Sequence, residues 1–173
     1  LVTLAAALLL LAVGILRPRF NRRHPTGALD TAGRKGSGNP VPHRPSWVGA
    51  TAVPIRGVTP NGDPVDVDID GSVMVAFLTS SCLTCQPVWS ALGEPAKPGP
   101  RATAVVVTPS PSTESAPAIR AFRIGTVPVV MSSDGWHAYA VTGAPWCVRI
   151  DGGVVTAELR PQSTSDVFRL LAG

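Results

Sequence analysis

Apolar and polar positions divide this chain into three stretches of different character. Residues 1–16 are apolar and uncharged, residues 17–46 are polar and rich in Pro, Gly and Arg, and short apolar runs alternate with turns from Trp47 onward. Two runs, at 53–58 and 65–69, flank Pro60-Asn61-Gly62-Asp63, and the second alternates apolar and acidic residues strictly. Asn-Gly between alternating runs predicts a β-hairpin, with Asp66, Asp68 and Asp70 on its solvent face. The run 73–78 is apolar throughout, as a strand buried on both faces requires. A helical pattern over about 83–92 follows it, with Pro87 near the first turn, where a missing N–H costs least. Gly93 stops that helix, and Pro95, Pro98 and Pro100 make a loop.

The β-branched run 102–108 predicts a second buried strand. Ser112-Thr113-Glu114-Ser115 reads as a helix start leading into Ala118-Ile119-Arg120-Ala121-Phe122, and 127–131 as a short third strand. Asp134 is the expected cap of one turn carrying Trp136 and Tyr139. Two strands, 146–151 and 154–159, are joined by Gly152-Gly153, and a last helix covers about 163–171. The order is βα, βα, then an antiparallel hairpin and a terminal helix.

Sixteen helical residues span about 24 Å, short of the roughly 30 Å hydrocarbon core. The chain opens on Leu rather than Met, which fits either a truncated sequence, with apolar residues missing upstream, or a translated non-standard start. A cleaved signal would carry its basic residues before the apolar run and a small-residue site after it. Here Arg17, Arg19, Arg22 and Arg23 follow the run, which favours a retained single-pass membrane anchor. Residues 17–46 cannot bury enough apolar surface to offset their ordering entropy, and are read as a flexible basic tether. The positive-inside rule puts that cluster, and the domain after it, on the cytoplasmic side.

Charge follows the same division. Residues 1–50 hold seven Arg/Lys and one Asp, a net +6, whereas 51–173 hold eight Arg/Lys and ten Asp/Glu, a net −2. With no basic face in the folded part and 5% aromatic residues, nucleic-acid binding is excluded. Three cysteines are too few for a disulfide framework.

Two of the three form Cys82-Leu83-Thr84-Cys85, between the central strand and its helix. At a helix N-terminus, unpaired N–H groups and the dipole favour a thiolate. A thiolate attacks disulfides, and a second cysteine one turn along can resolve the mixed disulfide. Cys82 is accordingly read as the attacking thiol and Cys85 as the resolving one. Such exchange needs no cofactor and no metal; it needs a protein disulfide or dithiol substrate and a redox-recycling partner.

With this element order and motif, residues 47–173 resemble the α/β thioredoxin-like fold, a central mixed β-sheet flanked by helices. More closely, they resemble membrane-anchored TlpA-like, or redoxin-type, thiol-disulfide oxidoreductases. The Asn61-Gly62 hairpin and the segment Gly143-Ala144-Pro145-Trp146-Cys147 through Asp151-Gly152-Gly153 carry the rest of the resemblance. It implies that Pro145 is a cis-proline packed against the cysteine pair, with Ala144 offering backbone contacts to a substrate peptide. It also implies an extracytoplasmic domain, against the charge rule, so the side of the membrane stays open.

The chain departs from the family at two positions. Ser81 stands where an aromatic usually precedes the first cysteine, and Ala76 where thioredoxins carry a buried carboxylate. Those departures motivate a rival reading as a catalytically weak binding module. A peroxiredoxin-like peroxidase would want P-x-x-x-[TS]-x-x-C; Thr79 fits, but Val75 replaces the proline. A metal-handling site would have to recruit Cys147 and His137, since no second C-x-x-C exists and four ligands are the structural norm. Cys147 is read as a buried structural thiol, with a third redox thiol able to trap Cys82 as the sharper alternative.

Overall fold

The computed structural model describes residues 46–95 and 101–173. The anchor expected over 1–16 and the tether up to residue 45 lie outside the described residues. Among those described, no helix is long and apolar enough to cross a membrane.

In chain order the elements are β1 (Ile55–Val58), β2 (Pro64–Val67), β3 (Ser72–Phe77), α1 (Gln86–Gly93), β4 (Thr103–Thr108), α2 (Ala116–Ala121), β5 (Val129–Met131), α3 (Ser133–Ala138), β6 (Trp146–Asp151), β7 (Val154–Leu159) and α4 (Thr164–Ala172). Among the described residues, seven strands make one mixed sheet in the order β2-β1-β5-β4-β3-β6-β7. β3 pairs with β4 in parallel and with β6 antiparallel, which puts the strand leading to the cysteines inside the sheet.

Side chains alternate across a strand, so β3 feeds two cores at once. Met74, Ala76 and Leu78 join Val88, Trp89 and Leu92 of α1 and Val167, Leu170 and Leu171 of α4 on one face. Val73, Val75 and Phe77 join Ile55, Val107, Tyr139, Val148 and Ile150 on the other. Burial on both sides is why the run carries no polar position.

The second core is closed by an aromatic set. Phe77 lies 5.3 Å from Tyr139 and 5.9 Å from Trp136 between ring centroids. The Tyr139 hydroxyl donates to the Val53 carbonyl at 2.9 Å and accepts from the Val53 N–H at 3.0 Å. Trp47 donates its indole N–H to the Tyr139 carbonyl at 3.0 Å, so the start of the domain is stitched to the end of α3.

The expected hairpin forms, its strands joined by the five residues 59–63. Gly62 takes φ +97, the Thr59 N–H donates to the Asp63 carbonyl at 2.8 Å and the Gly62 N–H to the Thr59 carbonyl at 2.9 Å, and β1 pairs with β2 from Val58↔Pro64. The cap of α3 is Ser132, not Asp134, because the Ser132 hydroxyl accepts from the Gly135 N–H. The helix expected over 83–92 begins as a tight 3-10 turn at Leu83–Cys85 before α1 proper. Gly57 is forced by a close approach: a Cβ there would lie 2.5 Å from the Met131 carbonyl oxygen on β5.

Candidate active site

The site is built where β3 ends. Residues 79–81 form a short polar turn, Cys82 follows in extended conformation, and the 3-10 turn carries Leu83, Thr84 and Cys85 onto α1. The Cys85 N–H donates to the Cys82 carbonyl at 3.1 Å, closing that turn. Cys82 and Cys85 are joined as a disulfide with their Cα atoms 5.3 Å apart.

The two sulfurs are not equivalent. Cys85 is fully buried in the core beneath α1, whereas Cys82 is half-buried beside the exposed Leu83 and Thr84. An incoming sulfur can reach Cys82 only. Its Sγ lies 3.1 Å from the Thr84 hydroxyl and 3.7 Å from the Ala144 carbonyl oxygen, which can accept from the thiol in the reduced form. The Ala144–Pro145 peptide bond is cis. Ala144, Pro145 and the cysteine pair are thus brought together from positions 62 residues apart.

Two groups hold the turn before Cys82. The Trp89 indole N–H donates to the Thr79 carbonyl at 3.4 Å, and the Trp89 ring stacks on Phe122 at 4.3 Å. Glu114, on the loop before α2, accepts from the Ser80 N–H at 3.1 Å and from the Ser80 hydroxyl at 2.6 Å. It also accepts from the Ser115 N–H at 2.9 Å, one residue along its own loop. The sequence marked Glu114 only as part of a helix start and gave Thr84 no role. The signal for Glu114 is spatial, since Ser80 lies 34 residues away; that for Thr84 is local, a hydroxyl two residues from Cys82 on one tight turn.

No carboxylate lies beneath the pair on β3. Ala76 is paired across the sheet with Cys147 of β6, and both join Cys85 in the same apolar core. Burial pushes the Cys147 thiol up to about 12. A thiol so shifted carries almost no thiolate at neutral pH, and the thiolate is the reactive form. His137 is exposed near the end of α3, which packs on the opposite face of the sheet from Cys85 and Cys147. Among the described residues, no group of three or more His, Cys, Asp or Glu is arranged to hold a metal ion.

No protein-family model and no curated protein matches this sequence. Solved structures do match its fold. The thioredoxin domain of a thiol-disulfide oxidoreductase from Bacteroides vulgatus superposes with a TM-score of 0.57 at 20% identity, covering 72% of this chain and 97% of that one. A thioredoxin-family thiol:disulfide interchange protein from Chlorobium tepidum gives 0.56 at 22% identity, over 73% of this chain and 96% of that one. A secreted Mycobacterium tuberculosis disulfide oxidoreductase homologous to E. coli DsbE gives 0.56 at 16%, over 67% and 92%. The fold is thioredoxin-like.

Proposed function

We propose that this domain exchanges disulfides with protein partners through Cys82 and Cys85. The observation that carries the reading is the asymmetric pair: one half-exposed sulfur and one buried sulfur, joined at a strand end that opens a helix and facing Ala144–Pro145. In the reduced form the Cys82 thiolate attacks one sulfur of a partner disulfide, and the partner's other sulfur leaves as a thiolate. Cys85 then gives up its proton and attacks the Cys82 sulfur. The second partner thiol is released and the Cys82–Cys85 disulfide remains, two electrons having passed to the partner. A recycling dithiol runs the same steps in reverse.

In this reading Ala144 and Pro145 form the wall against which a partner's backbone lies, and Cys147 stays a packing thiol. The run 1–16 anchors the domain to a membrane and 17–46 tethers it. Resistance of the full-length chain to alkaline carbonate extraction checks the anchor, and membrane-impermeant thiol labelling of intact cells assigns the side.

The test of function is the midpoint potential of the Cys82–Cys85 couple, read by thiol alkylation in graded glutathione or dithiothreitol buffers. A reversible two-electron couple supports exchange. A value near thioredoxin's roughly −270 mV marks a reductase, and one near DsbA's roughly −120 mV a disulfide donor. Absence of any reversible couple sinks the reading in favour of a binding module.

A further inference from the structure

Resting on that reading of the site, we infer that Thr84 is a catalytic residue: its hydroxyl donates to the Cys82 sulfur and sets the acidity of the attacking thiol. Among the described residues, and apart from Cys85 to which it is bonded, Thr84 is the side chain whose hydrogen bond reaches that sulfur, at 3.1 Å. The other polar neighbour is the Ala144 carbonyl oxygen at 3.7 Å, an acceptor. The two neighbours therefore act on opposite protonation states. A carbonyl oxygen accepts from the thiol and favours it; a hydroxyl that donates to sulfur favours the thiolate.

Thr84 adds to what the N-terminus of α1 supplies. Residues 79–83 and the buried positions of β3 carry no cationic side chain that could stabilise the thiolate. The charged groups on neighbouring elements are Glu114, an anion held on the Ser80 hydroxyl, and Arg160, whose guanidinium lies 5.5 Å over the Trp146 ring and beside Gly143; neither is hydrogen-bonded to the Cys82 sulfur. Ala76 and Cys147, directly beneath, are apolar and buried. The 3-10 turn that opens the helix spends the Cys85 N–H on the Cys82 carbonyl rather than on sulfur. A hydroxyl two residues along a 3-10 turn sits beside the sulfur because that turn is tight. The geometry thus turns an intervening residue that adds no charge into a thiolate donor.

Two consequences follow for the exchange. A thiolate stabilised in the reduced form raises the potential of the couple, since the reduced state is favoured. It also raises the fraction of Cys82 ready to attack at neutral pH. Losing the hydroxyl should therefore slow attack below the Cys82 pKa and make the pair more reducing above it.

The experiment compares the full-length chain with its Thr84→Val and Thr84→Ser variants. Val keeps the shape of Thr without the hydroxyl, and Ser keeps the hydroxyl without the methyl. Because Thr84 is exposed, neither change touches the core. The acidity of Cys82 is read from the pH dependence of iodoacetamide alkylation of the reduced protein, followed on the Cys82 peptide by mass spectrometry. Thr84→Val is expected to lower the acid dissociation constant of Cys82 about tenfold, one pKa unit. The midpoint potential, measured above the Cys82 pKa, should fall by about 30 mV, the equivalent of tenfold for a two-electron couple. Thr84→Ser should restore both. Identical alkylation profiles for wild type, Val and Ser overturn the role of Thr84. The alkylation profile reads Cys82 acidity whether or not the pair cycles, so a wild type without a reversible couple condemns the exchange reading separately.

Discussion

Glu114 takes both polar hydrogens of Ser80, the N–H at 3.1 Å and the hydroxyl at 2.6 Å, across 34 residues of sequence. Ser80 stands two residues before Cys82, so this carboxylate pins the turn that delivers the attacking sulfur to the surface. Trp89 pins the same turn from the other side through the Thr79 carbonyl. The turn is otherwise a run of small polar residues with little apolar surface of its own to hold it.

Glu114→Ala leaves the Ser80 N–H and hydroxyl, both half-buried, without their acceptor. The expected cost is about 1–3 kcal/mol of unfolding free energy, the usual penalty for stranding buried donors. Ser80→Ala removes one of the two bonds and should cost less. Because the residues touch, the double variant should deviate from additivity by at least roughly 0.5 kcal/mol. Urea unfolding of the four proteins measures this, and additive losses would mean that the hydroxyl–carboxylate bond contributes nothing. Glu114→Ala should also slow disulfide exchange at Cys82, because a loosened turn presents the sulfur less consistently.

Much of the architecture was legible because burial leaves a pattern. The run at 73–78 reads as central strand since both its faces meet a core, and Gly152-Gly153 reads as a turn since both residues take positive φ. What was not legible depends on long-range contacts. Ser132, Ser133 and Asp134 are all cap-type residues, and sequence does not choose among them. The choice is made by β1, since the Ser132 hydroxyl donates to the Arg56 carbonyl at 2.6 Å while accepting from Gly135. Likewise the acidic partner of the active-site turn is absent from the run 73–78 and arrives from the loop before α2. The site residues Cys82 and Cys85 were visible by spacing. Their difference in exposure was not, as it depends on α1 and α4 closing over Cys85.

The asymmetry of the pair separates two variants. Cys85→Ser leaves the accessible sulfur in place without its resolver, so mixed disulfides between Cys82 and partner proteins should accumulate. Non-reducing gels followed by mass spectrometry of the adducts would detect them. Cys82→Ser leaves only the fully buried Cys85 and should trap nothing and turn nothing over, with the fold retained. Adducts in Cys82→Ser comparable to those in Cys85→Ser would reverse the assigned roles.

The Cys147 thiol predicts a change in stability on the alkaline side. In the folded protein its pKa is raised to about 12 from the ordinary 9.0, by burial. The unfolded chain therefore loses that proton first, and stability falls as pH rises between those two values. Cys147→Ala removes this slope while leaving a small cavity, which costs about 1 kcal/mol at neutral pH. Unfolding curves from pH 8 to 11 should converge and then cross as pH rises, because the wild-type loss above pH 9 outgrows the cavity cost. Parallel curves would show that Cys147 is not protected, and would reopen its use as a third redox thiol.

Asp151 sets the acidic side with the opposite sign. Its carboxylate accepts from Arg149 Nε at 2.8 Å, Ser72 Oγ at 2.6 Å and Thr156 Oγ1 at 2.6 Å, joining β3, β6 and β7 at one end of the sheet. The Arg149 and hydroxyl hydrogen bonds hold the carboxyl well below the ordinary carboxylate value. A depressed folded pKa contributes stability that is present above the unfolded pKa, near about 3.9, and is lost as pH falls through the folded value. Arg149 also donates to the Leu170 carbonyl at 2.7 Å, so the same guanidinium fastens the end of α4. Asp151→Asn should therefore lower stability at pH 7 and flatten its decline below pH 4, because the group that must be protonated is gone. Asp166, lowered by the Gln162 N–H and the Ser163 hydroxyl, keeps part of the acid dependence in that variant. Thermal unfolding from pH 2 to 7 tests this, and an unchanged acid slope in Asp151→Asn would assign that slope to other carboxylates.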